Sequence, residues 1–95
     1  ALLMLEIGRL AQVNNSLGPE AGDAMLREAA ERIRAAAPLS SCLGRLRGPR
    51  FMLVFERLET READAVCQHI MGRLAGQPIV FRDQAIPVEG HAGLA

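Results

Sequence analysis

Two apolar runs, Cys42 to Leu46 and Phe51 to Phe55, flank the short segment Arg47-Gly48-Pro49-Arg50. Apolar runs separated by glycine and proline read as a β-hairpin, because glycine admits the tight reversal and proline cannot continue a ladder. In the second run Phe51, Leu53 and Phe55 alternate with Met52 and Val54, so both faces of the strand are apolar. Such a strand is expected at the centre of a sheet that is covered on both sides. The hairpin tip carries Arg47 and Arg50 and no acid.

The rest of the chain supplies partners for that hairpin. The nearly unbroken apolar run Ala1 to Ile7 predicts a buried central strand, ended by Gly8. A short helix is expected over Arg9 to Ser16, with Leu10, Val13 and Leu17 on one side. Gly18 can close it, Pro19 suits the first position of a new helix, and Glu20 complements the positive end of that helix dipole. The second helix is expected from Pro19 to Ala36. Its Ala21, Met25, Ala29, Ile33 and Ala36 recur at helical spacing, with Arg27, Glu28, Glu31, Arg32 and Arg34 on the solvated faces.

Pro38, Ser40 and Ser41 mark the loop before the hairpin, and Glu56 to Glu59 a polar turn after it. Thr60 is placed as an N-cap with Glu62 in the first turn, and Ala63, Val66, Cys67, Ile70, Met71 and Leu74 give a third helix that ends at Gly76 and Pro78. Ile79-Val80-Phe81 and Ile86-Pro87-Val88, linked by Arg82-Asp83-Gln84-Ala85, read as a closing hairpin in which Pro87 marks an edge or an irregularity. The tail Gly90 to Ala95 lacks strand composition. This order predicts an α+β fold, helices packed on a mainly antiparallel sheet, without internal repeats.

Ninety-five residues, 49% hydrophobic and 23% charged, make one globular domain. Eleven basic residues balance eleven acidic ones, so no overall field recommends a nucleic acid or an anionic membrane as partner. No apolar run is long enough to span a bilayer and nothing resembles a signal peptide, so a soluble, cytoplasmic chain is expected. Cys42 and Cys67 have no metal spacing around them and read as small core residues of a reducing compartment. The chain begins at Ala1 on a strand, which suggests a piece of a longer protein.

Arg45-Leu46-Arg47-Gly48-Pro49-Arg50-Phe51 resembles the Arg-hydrophobic-Gly-Gly-Asp-Glu-Phe signature of the GGDEF family, diguanylate cyclases that join two GTP molecules into cyclic di-GMP. Upstream, Leu5 to Asp23 is similar without a gap to the family's Asp-x-Asp-x-Phe-Lys-x-Ile-Asn-Asp-x-x-Gly-His-x-x-Gly-Asp, and Asn14, Gly18, Gly22 and Asp23 match it outright. The resemblance covers almost the whole of residues 1–95. It implies the palm-like, ferredoxin-like fold of nucleotidyl cyclases, truncated at both ends: the helical lead-in and the last helix and strand are missing. It also implies a last strand where the tail lies, with Gly93 in pattern and His91 in place of a serine.

The chemistry implied by the family needs magnesium held by acids, since phosphate charge must be neutralised near the attacking hydroxyl. Glu6 stands at the first metal position and is a vestigial ligand. Pro49 takes the second, where it offers no carboxylate, and Arg50 and Arg47 place cations at positions that are acidic and glycine in the signature. Gly8 removes a second strand-end aspartate and Ala11 a lysine. The signature Arg47, Gly48, Pro49, Arg50, Phe51 therefore reads as degenerate, without catalytic or metal residues and without cyclase activity.

Asn14 and Asp23 fall where the family recognises the guanine edge, with Gly22 keeping the helix surface open beside them. Without the resemblance, Asn14-Asn15 reads as a helix cap and Asp23 as a first-turn acid. Pro38 and Ser41 replace the Arg-x-x-Asp of the inhibitory dinucleotide site, which leaves Arg45 and Arg47 in a solvated basic patch. His69 and His91 lack partners at triad or metal spacing.

The expected function is a regulatory or assembly module of a cyclic di-GMP signalling protein. It would sit beside an EAL phosphodiesterase or sensor domain, with homodimerisation or GTP as an allosteric ligand, and with no cofactor. A ligand-free interaction domain is the alternative, and an enzyme completed by a partner's acids comes third.

Overall fold

The computed structural model describes residues 2–38, 41–46, 48–55 and 60–94. Ser40, Arg47, the turn at 56–59 and the side chain of Thr60 lie outside the described residues. The elements are β1 (Leu2–Ile7), α1 (Leu10–Leu17), α2 (Pro19–Ala36), β2 (Cys42–Arg45), β3 (Arg50–Val54), α3 (Thr60–Ala75), β4 (Ile79–Phe81), β5 (Gln84–Ile86) and β6 (Gly90–Leu94). One sheet has the order β2-β3-β1-β6, antiparallel throughout, and β4-β5 forms a separate ribbon. This is the α+β architecture that the sequence predicts.

β1 holds the centre, paired to β3 on one side and β6 on the other. Leu3 faces Leu53 and Leu5 faces Phe51, and all four are buried. They join Met25, Ala29 and Ile33 of α2 and Ile70 and Leu74 of α3 in one core. The alternate residues occupy the other face, as a period of two requires. There Leu2, Met4 and Met52 are half-buried and Val54 is 41% exposed, so the two-sided cover expected for β3 is corrected to one-sided. Apolar residues on both faces show that a strand could be sandwiched, but not that a second layer is present.

Cys42, on edge strand β2 and opposite Val54, is exposed and is not the core residue expected. Cys67 is partly buried against the core, and burial pushes its thiol pKa up, with Asp64 adding to the effect. Leu46 lies beyond β2 and is exposed, and β3 ends at Val54 rather than Phe55.

The helices follow their sequence signs closely. Gly18, at φ 92, closes α1 by donating its N–H to the Asn14 carbonyl, and Pro19 opens α2. α1 starts one residue later than expected because Arg9, at φ 61, forms its N-cap. The closing hairpin is tighter than the four-residue linker expected. Arg82 and Asp83 both adopt positive φ, the geometry of a two-residue turn matched to strand twist, so Gln84 and Ala85 pair with Phe81 and Val80. The chain leaves β5 at Pro87, which cannot donate to the ladder.

The unpromising tail forms β6 on the free ladder edge that β1 offers, and Gly90 packs under α3. A Cβ on Gly90 would lie 3.0 Å from the Met71 methyl and 3.1 Å from Leu74, so a larger residue there would push these side chains of α3 aside by a few tenths of an ångström.

Arg32 departs from the solvated face assigned to it. Its guanidinium donates to the carbonyls of Leu74 (2.9 Å), Pro78 (3.1 Å) and Gln77, the orphan acceptors where α3 ends, and pairs with Glu28 at 3.2 Å. The Arg34–Glu31 pair is exposed on both sides. Charge-assisted bonds to backbone should dominate, so Arg32→Met is expected to cost about 2 kcal/mol in urea unfolding and Arg34→Met less than about 0.5 kcal/mol.

Candidate functional site

The β2–β3 hairpin tip is anchored to the end of β1. The Ile7 N–H donates to the Pro49 carbonyl at 2.9 Å, and the Leu46 N–H to the Arg50 carbonyl at 2.9 Å. Gly48 supplies the turn at φ 63, its carbonyl accepts from Arg45 Nε at 3.4 Å, and Phe51 is buried beneath. Glu6 and Arg50 are cross-strand partners, with Arg50 Nε 3.9 Å from Glu6 Oε2, and His91 stands opposite Glu6 on the other neighbouring strand.

Nothing in the sequence singles out Glu89, which enters the same cleft. Where Gly8 has no side chain, Glu89 lies alongside: its Cβ would be 3.3 Å and its Oε2 3.6 Å from a Cβ at Gly8. The Gly8 N–H donates to the Glu89 carbonyl at 2.9 Å, and Glu89 Oε1 pairs with Arg9 at 3.2 Å. Eighty-one positions separate the two residues in sequence, so only the β1–β6 pairing brings them together. Glu6, Arg9, Asn14, Pro49, Glu89 and His91 line a cleft of about 640 Å³.

These residues do not fit the magnesium that the fold family implies. Each of the two carboxylates has a guanidinium beside it, and among the described residues no group of three or more His, Cys, Asp or Glu side chains is arranged to hold a metal ion. A hard divalent cation needs several oxygens free of competing cations.

Asn14 and Gly22 come together, and Asp23 lines a different cleft from Asn14. Asn14 Oδ1 is buried without a hydrogen-bond partner, and a Cβ on Gly22 would sit 1.7 Å from it. Gly22 therefore provides the space the carboxamide fills, rather than an open helix surface. The Asn14 side-chain oxygen caps no helix end among the described residues; at the end of α1 it is the Asn14 backbone carbonyl that accepts from Gly18. Asp23 lies beyond the first turn of α2, exposed, in a second cleft of about 340 Å³ with Leu26, Arg27, Ala30, Arg34, Leu43, Arg45 and Phe51. His69 is exposed on α3.

Known proteins resemble this chain in sequence and in fold. The family model described as diguanylate cyclase, GGDEF domain, matches residues 1–95. The bifunctional diguanylate cyclase/cyclic di-GMP phosphodiesterase MucR of Pseudomonas aeruginosa is 30% identical over 95 residues, which are all of this chain and 14% of that protein. An EAL/GGDEF domain protein from M. capsulatus superposes with a TM-score of 0.86 at 36% identity, over 97% of this chain and 59% of the other. Diguanylate cyclase SiaD from P. aeruginosa, solved in complex with its activator SiaC, gives a TM-score of 0.92 over 97% of this chain and 35% of the other. At 24% identity that last likeness is one of fold alone.

The Asn14–Gly22 contact yields a double-mutant cycle. A mid-helix glycine normally gains about 1 kcal/mol on change to alanine. Here Gly22→Ala is expected to destabilise by about 1–3 kcal/mol in thermal unfolding, because the amide must be displaced. In an Asn14→Ala background the same change should be neutral or stabilising.

Proposed function

The chain belongs to the GGDEF family, and on that premise we propose that it is a catalytically silent member, a regulatory module of a cyclic di-GMP signalling protein that binds a guanine nucleotide without turning it over. The observation that carries this reading is the Glu6–Arg50 pair beside Pro49. A guanidinium stands where the cyclase reaction needs a divalent cation, and Pro49 presents a carbonyl already bonded to Ile7. The attacking hydroxyl and the α-phosphate would have no common metal, and Arg50 and Arg9 are already paired with Glu6 and Glu89.

Base recognition has more support. Asp23 is an exposed carboxylate without an ion-pair partner among the described residues, suited to the N–H donors of a guanine edge, whereas the Asn14 Oδ1 is buried against Gly22 in the packing of α1 on α2. Names of relatives such as the bifunctional MucR and the EAL/GGDEF protein favour a neighbouring EAL or sensor domain in the parent protein. No helix among the described residues is long and apolar enough to cross a membrane, in keeping with a module on the cytoplasmic side. The half-covered sheet face with Met52 and Val54 favours a second reading, a ligand-free interaction or dimerisation domain.

Incubating the full-length parent protein with GTP and Mg²⁺ is expected to yield no cyclic di-GMP by chromatography, while calorimetry shows GTP binding and none of ATP. Product formation that disappears in Glu6→Ala would overturn the silent reading, and equal affinity for GTP and ATP would favour the interaction domain.

A further inference from the structure

The second cleft differs in character from the first. It runs between α2 and edge strand β2, where Asp23, Arg27, Ala30 and Arg34 fall at helical spacing along one stripe, and Leu43 and Arg45 alternate on the facing strand. Three guanidiniums meet one carboxylate over a floor of Leu26, Ala30, Leu43 and Phe51. Its volume of about 340 Å³ lies in the range of small-molecule sites.

We propose that this cleft binds the phosphate chain of a guanine nucleotide on Arg27, Arg34 and Arg45, without a divalent metal. The inference rests on the guanine-nucleotide reading above and adds where the phosphates go once the metal position is held by Arg50.

Planar guanidinium forks match phosphate oxygens two at a time, and three of them supply from the protein the charge that magnesium supplies elsewhere. Little has to be broken for them to do so. Arg27 makes no ion pair or hydrogen bond with another described residue. Arg34 is held only by Glu31, a pair exposed by 62% and 70%, and Arg45 by a long 3.4 Å bond to the Gly48 carbonyl.

The carboxylates facing the cleft are Asp23 itself and Glu31 beyond Arg34. Asp23 fixes the polarity of the bound molecule, because guanine presents adjacent N–H donors that a carboxylate accepts while phosphate is repelled from it. The base therefore lies at the Asp23 end and the phosphates toward Arg34, about 16 Å further along the helix at 1.5 Å per residue.

The test is calorimetry on the full-length parent protein in EDTA, with GTP, GMP, ATP and inorganic tripolyphosphate as probes, comparing wild type with Arg27→Gln/Arg34→Gln and, separately, Arg45→Gln. Both variants change exposed side chains and are checked for folding by circular dichroism. GTP is expected to bind without metal and more tightly than GMP, and the double variant to lose about tenfold or more for GTP while GMP changes little. GTP binding that requires Mg²⁺, or that is unchanged in both variants, would overturn the arginine cleft and leave the guanine reading standing. Arginine-dependent tripolyphosphate binding with no preference for GTP over ATP would support the cleft and overturn the guanine reading. Failure of GTP and tripolyphosphate alike to bind would overturn both.

Discussion

The central position of β1 is the constraint on which the rest of the molecule depends. Both of its edges are used, by β3 and by β6, and each pairing is antiparallel in a register that puts Leu3 and Leu5 on the helix side. A slip of one residue would turn that face to solvent, so the core and the register enforce one another. The same register sets Glu6 against Arg50 and against His91 at the end of the sheet, and the hydrogen bond from Ile7 to Pro49 closes the hairpin tip over it. The geometry of the first cleft is thus a by-product of packing the core.

Charge distinguishes the two clefts. In the first, acids and arginines alternate, Glu6 with Arg50 and Glu89 with Arg9, and each charge has its counterion within the protein. A site already neutralised from within has little to gain from an incoming cation. In the second, guanidiniums outnumber carboxylates and two of the lining charges, Asp23 and Arg27, have no described partner. Such an imbalance beside an apolar floor is an electrostatic demand that an anion would meet.

The polar groups packed between the elements are met to different degrees. Asn14 Oδ1 is the one buried side-chain oxygen or nitrogen without a partner among the described residues, and Gly22 is the absent side chain that lets it be there. Leaving such a group unsatisfied costs about 1–3 kcal/mol, a cost that a bound water relieves. Arg32 shows the contrasting case, a charged side chain fully engaged with the carbonyls that close α3.

Local chemistry made much of this legible in advance. Helical spacing and end residues such as Gly18 and Pro19 placed α2 and α3, because 3.6-residue periodicity and capping are properties of neighbouring residues. The motif resemblance brought out Glu6, Asn14, Gly22, Asp23 and the Pro49-Arg50 tip for the same reason: each lies in a short contiguous run. What sequence could not supply were relations across the sheet and between layers. The one-sided cover of β3, the exposure of Cys42, the strand made from Gly90 to Leu94, the arrival of Glu89 beside Gly8 and the turning of Arg32 onto α3 all depend on partners far away in the chain. The sequence by itself determined the helices, the first strand and the central hairpin, and the residue types available for chemistry. Tertiary structure alone decided which charges meet and which stay free, because long-range contacts follow from how faces stack and registers align rather than from any one residue's preference.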